Sequence, residues 1–92
     1  MPTITLQNLP KDSNVIDIRP ACEFAKGHFQ GAVNIPYELL MTYPESYLKH
    51  GVTYYLICAH GSLSYRACAI LQAQGYQALS VTTGYDLRCY CW

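Results

Sequence analysis

The chain has ninety-two residues, 51% hydrophobic and 13% charged, and its six basic and six acidic side chains cancel to a formal charge of zero. That suits a single small domain with enough apolar side chain for a core, and it excludes intrinsic disorder, which goes with low hydrophobicity and high net charge. Nucleic-acid binding has no basic stripe to support it, no apolar stretch approaches the ~20 residues of a membrane span, and Met1-Pro2-Thr3-Ile4 lacks the basic-then-apolar pattern of a secretory leader. The expectation is a soluble, cytoplasmic protein that engages neither nucleic acid nor membrane.

In chain order, Asn14-Val15-Ile16-Asp17-Ile18 is a short apolar run stopped by Arg19-Pro20, which predicts a buried parallel strand. Ala21 to Lys26 suits one or two helical turns ended by Gly27. Gly31 to Pro36 holds a second short strand closed by proline, Tyr37 to Met41 is helical, and Pro44 opens a short helix through Leu48. Val52-Thr53-Tyr54-Tyr55-Leu56-Ile57-Cys58, rich in β-branched and aromatic residues, predicts a central strand. Ser64 to Gln74 follows as a helix with Ala67, Ile70 and Leu71 on one face and Gly75 as its C-cap. Gln77 to Val81 reads as another strand and the residues after Gly84 as a short helix. Repeated strand, crossover and strand favour a mostly parallel sheet covered by helices. Ligands of such sheets bind beyond the carboxyl ends of the strands, where Cys58 stands.

Five cysteines, an odd number, argue against a disulfide framework in a chain read as cytoplasmic. No Cys-x-x-Cys pair exists, so neither a thioredoxin-type centre nor a zinc site is expected. Cys22 and Cys68 read as structural. Cys58 differs because Cys58-Ala59-His60-Gly61-Ser62-Leu63 is a short, glycine-containing connection between a strand and a helix. Such a loop turns backbone N–H groups inward as an anion-binding nest, and the helix N-terminus adds positive potential. A thiol held there is expected to shift toward the nucleophilic thiolate.

Val15-Ile16-Asp17-Ile18-Arg19, then Glu23-Phe24, then Gly27-His28-Phe29-Gln30-Gly31-Ala32-Val33-Asn34-Ile35-Pro36 resembles the first characteristic segment of rhodanese domains. Cys58-x-x-Gly61-x-x-Ser64 resembles their active-site loop, with the cysteine at the nucleophile position, and Gly75-Tyr76 and Thr83-Gly84 resemble later glycine landmarks. The resemblance spans roughly residues 4 to 88. It implies an α/β fold with a central, mostly parallel five-stranded sheet and helices on both faces. The implied activity is sulfane-sulfur transfer: Cys58 takes sulfur from a small donor or a persulfidated protein, holds it as a persulfide, and passes it to a thiol or cyanide. The backbone amides of Ala59, His60, Gly61, Ser62, Leu63 and Ser64 would hold the anionic sulfur, with no metal or organic cofactor. Asp17 and Arg19 would tie neighbouring loops together by a charge-assisted hydrogen bond, and His28 would be a framework residue.

Several positions depart from that pattern. Active thiosulfate sulfurtransferases often carry a basic residue after the nucleophile and an arginine before the helix serine; here these are Ala59 and Leu63. Each missing charge-assisted bond weakens capture of the thiosulfate dianion by about 1–3 kcal/mol, which favours persulfides, polysulfides or a protein donor. Arg66 in the first helical turn and His60 are alternative sources of charge, each equally consistent with a solvated side chain. Arg88 replaces the usual tryptophan, and Gln7 to Ser13 leaves little room for a first helix. Nine tyrosines exceed what a core of this size holds, which allows a homodimer or partner surface. The alternative function is therefore a catalytically weak interaction module. A cysteine phosphatase needs an arginine where the sixth position after the nucleophile here is Ser64. Cys89 and Cys91 allow, without distance information, a second thiol that resolves the Cys58 persulfide.

Overall fold

A computed structural model describes residues 3–4, 13–29, 31–58 and 62–81. Their elements in chain order are β1 (Thr3–Ile4), β2 (Asn14–Asp17), α1 (Ala21–Lys26), β3 (Val33–Asn34), α2 (Tyr37–Thr42), α3 (Pro44–Tyr47), β4 (Thr53–Ile57), α4 (Ser62–Ala73) and β5 (Gln77–Val81). The five strands form one sheet in the order β1-β5-β4-β2-β3. Every pairing is parallel, with β4 central: Asn14 to Asp17 lie opposite Tyr54 to Ile57, and Thr53 to Leu56 opposite Gln77 to Ser80. All strands therefore end at the same edge of the sheet, and Cys58 follows the central one.

Alternation along the strands sorts the core into two layers. Ile16 and Ile18 of the β2 segment, Tyr54, Leu56 and Cys58 of the β4 segment, and Ala78 of β5 face one way. Leu40 from α2, Leu48 after α3, and Ala67, Cys68 and Leu71 from α4 close over them. Val15, Ile57 and Val81 face the other way and are packed by Phe29 and Ala32, which follow α1, and by Tyr55.

α4 buries Ser64, Ala67, Cys68 and Leu71, spaced three and four apart, while Tyr65, Arg66, Ala69 and Ile70 are exposed. The sequence placed Ile70 on the inner face; it lies at the exposed edge instead, and Cys68 fills the stripe. The helix also begins at Ser62 rather than Ser64, so Ser62 and Leu63 belong to its first turn and not to the loop. At the other end Gly75, at φ +92°, closes it. Its N–H donates to Gln72 O and the Tyr76 N–H to Leu71 O, both at 3.0 Å, the paired bonds of a Schellman motif. Tyr76 and Leu71 are both buried in the main core, as that motif favours.

An alanine at position 75 would be forced into the left-handed region and would bring its Cβ to 3.4 Å from the His50 ring. Gly75→Ala is therefore expected to lower the free energy of unfolding by about 1–2 kcal/mol, read from urea titration; an unchanged midpoint would contradict the assignment.

The expected helix after Gly84, the shortened Gln7 to Ser13 segment except Ser13 itself, and Cys89 and Cys91 lie outside the described residues. No helix among the described residues is long and apolar enough to cross a membrane.

Candidate active site

Cys58 leaves the central strand with its side chain on the α4 side of the sheet, only 4% exposed. Ser64, third residue of α4, donates its backbone N–H to Cys58 Sγ at 3.2 Å. The first N–H groups of a helix have no acceptor within it, and that end carries partial positive charge. The sulfur thus sits where a strand end and a helix start converge, satisfying one of those donors. Ser64 is anchored on its other side as well: its Oγ lies 2.8 Å from Ser80 Oγ of β5, and both side chains are fully buried.

One helical turn beyond Ser64, Cys68 lies fully buried on the same stripe. Burial, and then the neighbouring Cys58 sulfur, push its thiol from 9.0 up to about 12. At neutral pH it carries about a thousandth of the thiolate of an ordinary cysteine. Iodoacetamide at pH 8 is thus expected to leave Cys68 unlabelled in the folded protein and to label it after denaturation, followed by peptide mass spectrometry; rapid native labelling would contradict its burial. The unfolded chain ionises this thiol first, so its stabilising contribution is complete below about pH 9. That contribution is lost as pH rises toward about 12.

The rim beside β4 is held by a buried ion pair. Arg19 donates from Nε to Asp17 Oδ1 and Oδ2 at 2.9 and 3.1 Å, and from Nη2 to Oδ2 at 2.8 Å. The Arg19 backbone N–H donates to Asp17 Oδ1 at 3.0 Å, and Nη2 reaches Gly27 O at 2.7 Å. Asn34 Nδ2 donates to the carbonyls of Asp17 and Arg19. The ends of β2, α1 and β3 are thereby tied together, as the sequence led us to expect of Asp17 and Arg19. His28 is likewise structural: its ring stacks on Phe24 at 3.8 Å, and Nδ1 lies 2.9 Å from Phe24 O. A carbonyl only accepts, so Nδ1 carries the proton.

Of the expected site residues, Cys58 and Ser64 are in direct contact. Leu63 is half-buried against the main core and offers no charge. Ser62 opens α4, while Ala59, His60 and Gly61 lie outside the described residues. Arg66 is exposed, and so is Cys22, against the expectation of a structural, packed thiol there. Ser80 was not among the expected residues; its only signal was a polar residue at the inward parity of β5, in step with Ala78. Among the described residues no cluster of three or more His, Cys, Asp or Glu side chains could hold a metal ion. A groove of about 310 Å³ lined by Thr53, Gln72, Tyr76, Gln77, Ala78 and Leu79 lies at the opposite, amino-terminal end of the strands.

The model of the rhodanese-like domain family matches residues 3–87. Among solved structures, a Staphylococcus saprophyticus protein is 30% identical with a TM-score of 0.84, over 94% of this chain and 91% of its own. A rhodanese-like domain protein of Staphylococcus aureus is 28% identical with a TM-score of 0.79, over 89% and 85%. The human single-domain sulfurtransferase, at 23% identity and a TM-score of 0.79 over 92% of both chains, shares the fold. No curated protein matches the chain.

Proposed function

Since the chain belongs to the rhodanese-like domain family, we propose that it is a sulfurtransferase that carries sulfane sulfur as a persulfide on Cys58. The carrying observation is the Ser64 N–H aimed at Cys58 Sγ from the first turn of α4. A fixed donor in a buried setting stabilises negative charge on the sulfur without having to reorganise. The Cys58 thiolate attacks the outer sulfur of a donor persulfide or polysulfide; the donor's S–S bond breaks, its thiolate leaves, and Cys58 keeps one added sulfur. An acceptor thiolate or cyanide then attacks that sulfur and returns Cys58 as thiolate. No metal or redox cofactor enters this balance.

Leu63 packed against the core and Arg66 exposed support persulfides, polysulfides or a persulfidated protein over thiosulfate as donor. A cytoplasmic setting suits a carrier that needs its thiol kept reduced. The test is thiocyanate formation from cyanide with polysulfide and with thiosulfate as donors. Turnover with polysulfide that exceeds turnover with thiosulfate supports the reading; a clear preference for thiosulfate sinks the donor assignment.

A second reading, an interaction module, draws on one observation: Leu39, Tyr43 and Tyr47 stand 43%, 51% and 41% exposed across α2 and α3. Binding of a partner protein or a second copy there would survive Cys58→Ser, whereas the carrier function would not.

A further inference from the structure

Ser80 lies one residue before the end of β5, at the inward parity of the sheet and beneath the first turn of α4. The apolar contacts that dock α4, made by Ala67, Cys68 and Leu71, do not require a hydroxyl there. Buried hydroxyls must be partnered, and a pair at 2.8 Å fixes distance and direction in a way that apolar surfaces sliding past each other do not. Ser64 is the residue that joins both contacts, its side chain bonded to β5 and its backbone N–H to the Cys58 sulfur.

We infer that Ser80 is a positioning residue for Cys58: through the Ser80–Ser64 hydroxyl pair it sets the first turn of α4 on the sheet and so aims the Ser64 N–H at the sulfur. The chain of contacts runs from Ser80 Oγ to Ser64 Oγ at 2.8 Å, and from Ser64 N to Cys58 Sγ at 3.2 Å. The inference deepens the proposal above, resting on Cys58 as the reacting sulfur. It concerns the reactivity of that sulfur and not the identity of its donor. Cys68, a buried titratable neighbour of Cys58, stays protonated across the working range and so adds no titration of its own to a pH profile.

The experiment is the rate of Cys58 alkylation by iodoacetamide against pH, read at the Cys58 peptide by mass spectrometry on the full chain. Ser80→Ala is expected to move the midpoint upward and to slow alkylation at neutral pH roughly threefold to tenfold. Ser80→Thr, which keeps the hydroxyl, restores the wild-type midpoint, and Ser64→Ala/Ser80→Ala shifts it no further than either single change. Should Ser80→Ala fail to fold, Ser80→Thr against Ser80→Val gives the same reading from two side chains of one shape. A melting temperature that falls while the midpoint stays fixed, or single shifts that add in the double variant, would overturn the inference. Wild-type and variant profiles that differ as expected in a protein that never accepts sulfur would uphold Ser80's role and remove the carrier function.

Discussion

Asp17→Ala is expected to destabilise the domain by about 3–5 kcal/mol, a large part of the roughly 5–15 kcal/mol by which a domain is stable. The side chain it removes is fully buried and accepts from the Arg19 backbone, Nε and Nη2. What remains is a guanidinium with 8% of its side chain exposed that has lost the Asp17 carboxylate. The loss comes from that stranded charge more than from the pair's own strength, because desolvation offsets much of the attraction between buried ions. A paired replacement, Asp17→Leu with Arg19→Met, is therefore expected to recover most of the stability in urea titration. Asp17→Ala within 1 kcal/mol of wild type would show that the pair is solvated in solution. The site should feel the single change too: Asp17 lies opposite Ile57, and the next N–H, that of Ile18, donates to Ile57 O beside Cys58.

The second large effect is functional. Cys58→Ser is expected to reduce sulfur transfer by at least about a thousandfold, as loss of a covalent nucleophile does, while unfolding free energy moves by no more than about 1 kcal/mol. Serine keeps the size of the side chain and an acceptor for the Ser64 N–H, so the packing of α4 on β4 survives. What it lacks is a sulfur able to form the S–S bond. Residual turnover near the wild-type rate would assign the chemistry to another thiol, with Cys89 and Cys91 next to be replaced. Full loss together with retained partner binding would separate carrier from docking function.

Much of this fold was legible because local signals agreed. Pro20 and Gly27 bound α1 at the residues expected, Gln77–Val81 is the strand its pattern suggested, and Gly75 caps α4. The strands were placed by short apolar runs between turn residues, and Cys58 by its position after the most strand-like of them. β1 had no signal of its own, since two residues paired to β5 carry no periodicity. The start of α4 was set two residues late because nothing in Ser62-Leu63 marks a helix; their helical turn becomes favourable when Ser64 reaches both Cys58 and Ser80. Ile70 was misplaced for a related reason. Spacing of three and four allows neighbouring stripes, and contact with β4 and β5 selects the one through Cys68. The Ser64–Ser80 pair joins residues sixteen apart on different elements, which no local pattern reports.

The measurement closest to the central claim is the intact mass of the protein after exposure to polysulfide, beside Cys58→Ser treated alike. The account predicts a gain of one sulfur, removed by reductant, mapped to the Cys58 peptide and absent from the variant. An unchanged mass in the wild type, or the same gain in Cys58→Ser, would contradict it.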